Sequence, residues 1–180
     1  MSAKLRPGQT AEIAGPKHAK VFPNPTVAAA MIKRAKRPLL VIGSKAPETE
    51  TEDGDLIDSA IKIGKKGKLT IAATGHLIGE FKKRKAKKVY SIPIMNLGDR
   101  VRDTNWNGFD GKGQYDLAIF AGSQYYLEWL VLSGLKNFAP NLRTISLGNI
   151  YQPNASWSMG TVNHSKWMSL LKKVVENIVQ

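Results

Sequence analysis

Apolar positions along this chain change their rhythm repeatedly, and the changes mark out its elements. In NPTVAAAMIKRAKR, residues 24–37, Val27, Ala30, Met31 and Ala35 share one face at helical spacing behind Asn24 and Pro25, residue types that open helices. LLVIG at 39–43 is instead a continuous apolar run between Pro38 and a polar loop, the pattern of a strand buried on both faces of a sheet. The same alternation continues. Ile57, Ala60, Ile61 and Gly64 mark a helix ending at Lys65-Lys66-Gly67, and LTIAAT at 69–74 reads as a strand. A basic helix with Leu77, Ile78 and Phe81 facing inward follows, then a short strand VYSI at 89–92. Pro93 opens a helix carrying Ile94, Leu97 and Val101.

After the Gly, Asp and Asn-rich loop RDTNWNGFDGKGQ comes YDLAIFAG at 115–122, the clearest strand of all. The helix SQYYLEWLVLSGLKNFA, the strand RTISLG, the polar loop NIYQPNASWSMGTVN and a helix from Ser165 to Val179 complete the chain. Strands of buried type alternating with helices predict an α/β protein: a three-layer, Rossmann-like parallel sheet flanked by helices. Residues 1–23, punctuated by Pro7, Pro16 and Pro23, read as an extended N-terminal arm, and 24–180 as a single domain.

In such a sheet ligands bind beyond the carboxyl ends of the strands, and three strands here end in glycine turns. Gly43-Ser44, Thr74-Gly75-His76 and Gly122-Ser123 are therefore the candidate cofactor-binding residues. Each glycine either lets a backbone amide approach an anion or serves a tight corner for steric reasons alone. Neither the G-x-G-x-x-G nor the G-x-x-x-x-G-K-[ST] fingerprint is present. His76 has no nucleophile or carboxylate at a known spacing, so no catalytic residue is assigned. His18 and His164 are scattered in loops, and ETETEDGD lacks calcium-loop spacing, so no metal site is assigned either.

Charge and cysteine content narrow the picture. The 180 residues carry a formal net charge of +13, concentrated in runs at helix ends, above all KKRKAKK at 82–88. Part of that pattern complements helix dipoles. No aromatic residues interleave with the lysines, so nucleic acid is disfavoured relative to a charged outer face or an acidic partner. The absence of cysteine excludes any thiolate-held cluster on this chain's own side chains. LAIFAGSQYYLEWLVL is interrupted by Glu128 and falls short of a membrane span, and no signal-peptide core precedes it, so a cytoplasmic protein is expected. Trp106, Tyr151 and Trp157 fall in polar loops, where large aromatics either anchor an interface or cap the local core; Trp129 and Trp167, on helices, read as core.

Whole segments carry a resemblance as well: AKRPLLVIG, ATGH, WNGFDGKGQYDLAIFAGSQYY, LSGLKNFAPNLRTISL and YQPNASWS. Together they resemble the epsilon subunits of the archaeal acetyl-CoA decarbonylase/synthase complex, from about Ile13 to near the C-terminus. The block from Asp103 to Ser158 is the specific part. The resemblance implies a DHS-like NAD/FAD-binding domain and a carbon monoxide dehydrogenase alpha subunit as partner, that subunit carrying nickel-iron-sulfur clusters. It implies an accessory, non-catalytic role stabilising the alpha subunit, in a homo-oligomer or alpha2epsilon2 assembly. The alternative it leaves open is an electron-transfer module for CO oxidation that binds FAD or another nucleotide.

Overall fold

A computed structural model describes residues 17–52 and 54–179. Seven strands form one parallel sheet: β1 (Lys20–Val21), β2 (Pro38–Ile42), β5 (Thr70–Ala73), β6 (Val89–Ser91), β7 (Leu117–Ala121), β8 (Arg143–Ser146) and β9 (Trp157–Ser158), in the order β1-β9-β8-β7-β2-β5-β6. A two-stranded antiparallel ribbon, β3 (Glu50–Thr51) and β4 (Gly54–Asp55), stands apart. Helices α1 (Pro25–Arg34), α2 (Leu56–Lys66) and α6 (His164–Val179) cover one face with the short α3 (Ile78–Lys83). The other face is covered by α4 (Ile94–Arg102) and α5 (Tyr125–Phe138). The three-layer parallel α/β architecture expected from the sequence is the one observed.

Period-two alternation in the central strands builds both cores. Leu40 and Ile42 of β2, Ile71 and Ala73 of β5, and Ile119 of β7 face α1, α2 and α6. Leu39, Val41, Ala72, Ala118 and Phe120 face α4 and α5. The continuous apolar runs follow from this two-sided burial. Helix α1 begins as read from the sequence: Asn24 is extended and its side-chain oxygen accepts the Val27 amide at 3.2 Å.

Three differences have physical causes. Lys20–Val21 pairs with Trp157–Ser158, which pairs in turn with β8, so a piece of the N-terminal segment becomes the edge strand and a piece of the polar loop after β8 the strand next to it. Each is two residues long, too short to show a period. The rest of the N-terminal arm, residues 1–16, lies outside the described residues. Helix α2 ends at Lys66 with Gly67 as its cap, as read, but Gly67, its φ being −80°, is not the left-handed residue usual at such an end. Lys68 takes that conformation, at φ 54°, while the Leu69 amide reaches back to the Gly64 carbonyl at 3.0 Å. The basic run after Phe81 is also mostly not helix. Lys85, at φ 53°, closes α3, with Lys85 N to Lys82 O at 2.9 Å and Ala86 N to Phe81 O at 3.0 Å. Both turns are Schellman closures, and both place lysine where glycine is usual.

A left-handed non-glycine residue costs roughly 1–2 kcal/mol, partly offset by the greater unfolded-state freedom of glycine. Lys68→Gly is therefore expected to stabilise the fold by up to about 1 kcal/mol, raising Tm by a few degrees in thermal unfolding.

Candidate functional site

The chain runs outward from β2 through β5 to β6, then returns beside β2 as β7 and continues outward through β8 to β9. The direction reverses between β2 and β7, and the strand ends there are where a doubly wound sheet would hold a ligand. All the sequence-predicted residues gather around this point. Thr74 lies at the end of β5, with its amide and hydroxyl both donating to the Ile42 carbonyl at 3.0 Å.

What fills the space above them differs corner by corner. At Gly43 an added Cβ would lie 2.3 Å from the Cα and 2.4 Å from the amide nitrogen of Ser123, so the two backbones touch. The Gly43 amide is already donated to the Ala121 carbonyl at 2.9 Å. At Gly122, φ 69°, a Cβ would meet Leu56 Cδ2 at 2.8 Å and Ala46 Cβ at 3.1 Å. The short 3-10 turn Ala46–Glu48 and the first residue of α2 thus pack into that corner, tied by Lys45 N to Gly122 O at 2.8 Å. Gly75 is different: exposed, left-handed at φ 62°, with only Ser44 Cβ near, at 3.7 Å. Ser44 and His76 are exposed beside it. Two of the three glycines make room for the chain's own backbone and side chains, and one opens to solvent.

The buried carboxyl of Glu128, 3% exposed, lies near the end of β8. In the sequence it is only an interruption in an apolar helix. Its Oε1 accepts the Ser146 hydroxyl at 2.6 Å, and burial pushes its pKa up to about 7 against the lowering effect of that bond. The alternating small polar residue in RTISLG was the one signal of a partner. Among the described residues no group of three His, Asp or Glu side chains is placed to hold a metal ion.

The aromatic residues read as anchors or local caps are packed within the fold. Trp106 stacks edge-on against Phe109 at 5.1 Å, Tyr151 is buried with its hydroxyl donating to Ala19 O at 2.8 Å, and Trp157 stacks on Phe22 at 5.3 Å. Trp167 is core, its indole N–H donating to Leu147 O at 2.7 Å. Apolar exposure falls elsewhere. Tyr126, Leu130, Gly134 and Phe138 are spaced four apart along α5, and the three side chains are 60%, 48% and 64% exposed. Met95 of α4, 49% exposed, borders the same strip, and a shallow groove of about 160 Å³ lies between the two helices. No helix among the described residues is long and apolar enough to cross a membrane.

Fold and strand-end geometry together define a Rossmann-like parallel α/β protein whose switch-point corners are largely closed by its own chain. Residues 2–175 match the family described as CO dehydrogenase beta subunit/acetyl-CoA synthase epsilon subunit, and the chain belongs to that family. The acetyl-CoA decarbonylase/synthase complex subunit epsilon of Methanothrix soehngenii is 38% identical over 157 residues, covering 87% of this chain and 81% of its own. The subunit of the same name from Methanothermobacter thermautotrophicus is 32% identical over 176 residues, 97% of this chain and 96% of its own. Subunit epsilon 1 of that complex from Archaeoglobus fulgidus is 36% identical over 157 residues, 86% and 82% of the two chains.

Two outcomes follow. Gly43→Ala forces apart the β2 and β7 strand ends and should cost about 3 kcal/mol or more in denaturant unfolding, whereas Gly75→Ala should cost only about 1 kcal/mol of local strain. Glu128 has a folded-state pKa above its unfolded value of 4.5, so its cost is absent below that pH and grows as pH rises to about 7. Stability of the wild type relative to Glu128→Gln, measured by urea unfolding from pH 4 to 8, should therefore fall by on the order of 3 kcal/mol across that window. A flat difference would contradict the buried carboxyl.

Proposed function

We propose that this chain is an accessory, non-catalytic subunit of an acetyl-CoA decarbonylase/synthase complex that stabilises the metal-cluster-bearing alpha subunit of its carbon monoxide dehydrogenase component. One observation carries the reading. The crevice that would hold a dinucleotide pyrophosphate is filled at Gly43 by Ser123 and at Gly122 by Ala46 and Leu56, so those turns hold the chain's own packing. A chain without cysteine cannot supply thiolates to a cluster, which accords with the redox metals residing on a partner. The strip Tyr126, Leu130, Phe138 and Met95 supplies what such a role needs, an apolar helix face of the kind that marks protein contacts. An alpha2epsilon2 arrangement would seat it on that partner.

A second reading has one specific support. The open left-handed corner at Gly75, flanked by Ser44 and His76, could meet one phosphate of FAD or another nucleotide, which would make the chain an electron-transfer module. Calorimetric titration of the purified protein with FAD and with NAD separates the two. The subunit reading expects no saturable binding at millimolar ligand; micromolar binding lost on Gly75→Val would establish the second. Co-purification with the alpha subunit should fall at least about tenfold in Leu130→Asp/Phe138→Asp, with Tm unchanged. Full assembly by that variant would show that the complex forms through another face.

A further inference from the structure

The two Schellman turns that end α2 and α3 come together at the amino-terminal edge of β5 and β6, on the opposite side of the sheet from α4 and α5. Between them lies a pocket of about 180 Å³ rimmed by Lys65, Lys68, Lys87 and Lys88. Its floor is aliphatic, built from Ile61, Leu69 and Ile71. All four lysines are exposed, and among the described residues no carboxylate forms an ion pair with any of them.

Backbone conformation singles these positions out further. Lys68, Lys85 and Lys88 have φ of 54°, 53° and 56°, where glycine is the relaxed choice. Two of the three stand on the pocket rim. Helix-dipole compensation accounts for Lys65 at the end of α2, but neither Lys87 nor Lys88 belongs to a helix. Positive charge is thus held at strained turns around an apolar hollow, without an internal counter-charge.

We propose that this pocket docks an acidic segment of a partner polypeptide, one apolar side chain entering the hollow while flanking carboxylates meet the lysine rim. The surface is separate from the α4–α5 strip, so this proposal does not depend on the assembly proposed above. Three features favour a peptide over a nucleic acid. The rim is lysine throughout, giving separate point charges, and lacks the arginine forks that suit phosphate. No aromatic ring lines the hollow for a base to stack on. The hollow has room for a single large aliphatic side chain, and its floor is chemically matched to one.

The left-handed turns provide an unusual test. Lys68→Gly/Lys88→Gly removes two charges while relieving backbone strain, so lost binding cannot be ascribed to lost folding. The probe is a fluorescein-labelled synthetic peptide of glutamates around one central leucine, read by anisotropy on the full chain at low salt. Expected results are saturable binding, weakened about fivefold to tenfold in the glycine double variant at equal or higher Tm. Replacing the leucine of the probe by serine should weaken it further. Lys112→Gln/Lys173→Gln, an equal charge loss elsewhere, should bind as the wild type does. Equal weakening in that control, indifference to the leucine, or displacement of the peptide by a single-stranded oligonucleotide of the same charge would overturn the proposal.

Discussion

At the reversal of strand order Gly43 and Ser123 approach so closely that no side chain fits between their backbones. That contact joins the ends of β2 and β7, the two strands around which both halves of the sheet are wound. It also fixes the chain leading into the Ala46–Glu48 turn, which lies over Gly122 and leads through the β3–β4 ribbon into α2. The place where a related architecture would keep a crevice is here used for packing. The sheet is Rossmann-like, but two of its three glycine corners serve the protein's own packing.

With two of the three corners filled, the larger exposed apolar and charged groups lie on the outer layers. The α4–α5 side presents an apolar strip bordered by the Asp99–Arg102 ion pair, while the opposite side ends in a ring of lysines over an aliphatic hollow. The two surfaces differ in what they would recognise: one buries area, the other selects charge. A net charge of +13 gathered in this way accords with a component that works against other surfaces.

The strands and helices of the core were legible because their burial writes a period into the chain: LLVIG and LAIFA are apolar throughout since both of their faces are covered. The glycine turns were legible as turns. What each glycine meets was not, because Gly43 and Ser123 lie 80 residues apart and only the folded chain reveals that they touch. The edge pairing of Lys20–Val21 with Trp157–Ser158 was hidden for want of length. Lys68 at the end of α2 was obscured by its neighbour: Gly67 is the residue type usual in a left-handed cap, yet its φ is −80° and Lys68 takes the left-handed turn. The loop aromatics Trp106, Tyr151 and Trp157 carried no mark distinguishing an anchor from a local cap, since composition is the same for both.

Amide hydrogen exchange on this chain, free, with FAD, and bound to the alpha subunit, tests the central claim most directly. A closed switch point and a docking helix face predict new protection on α4 and α5 in the complex, and no change with FAD around Gly43, Gly75 and Gly122. Protection of those three turns by FAD, with α4 and α5 unaltered in the complex, would contradict it.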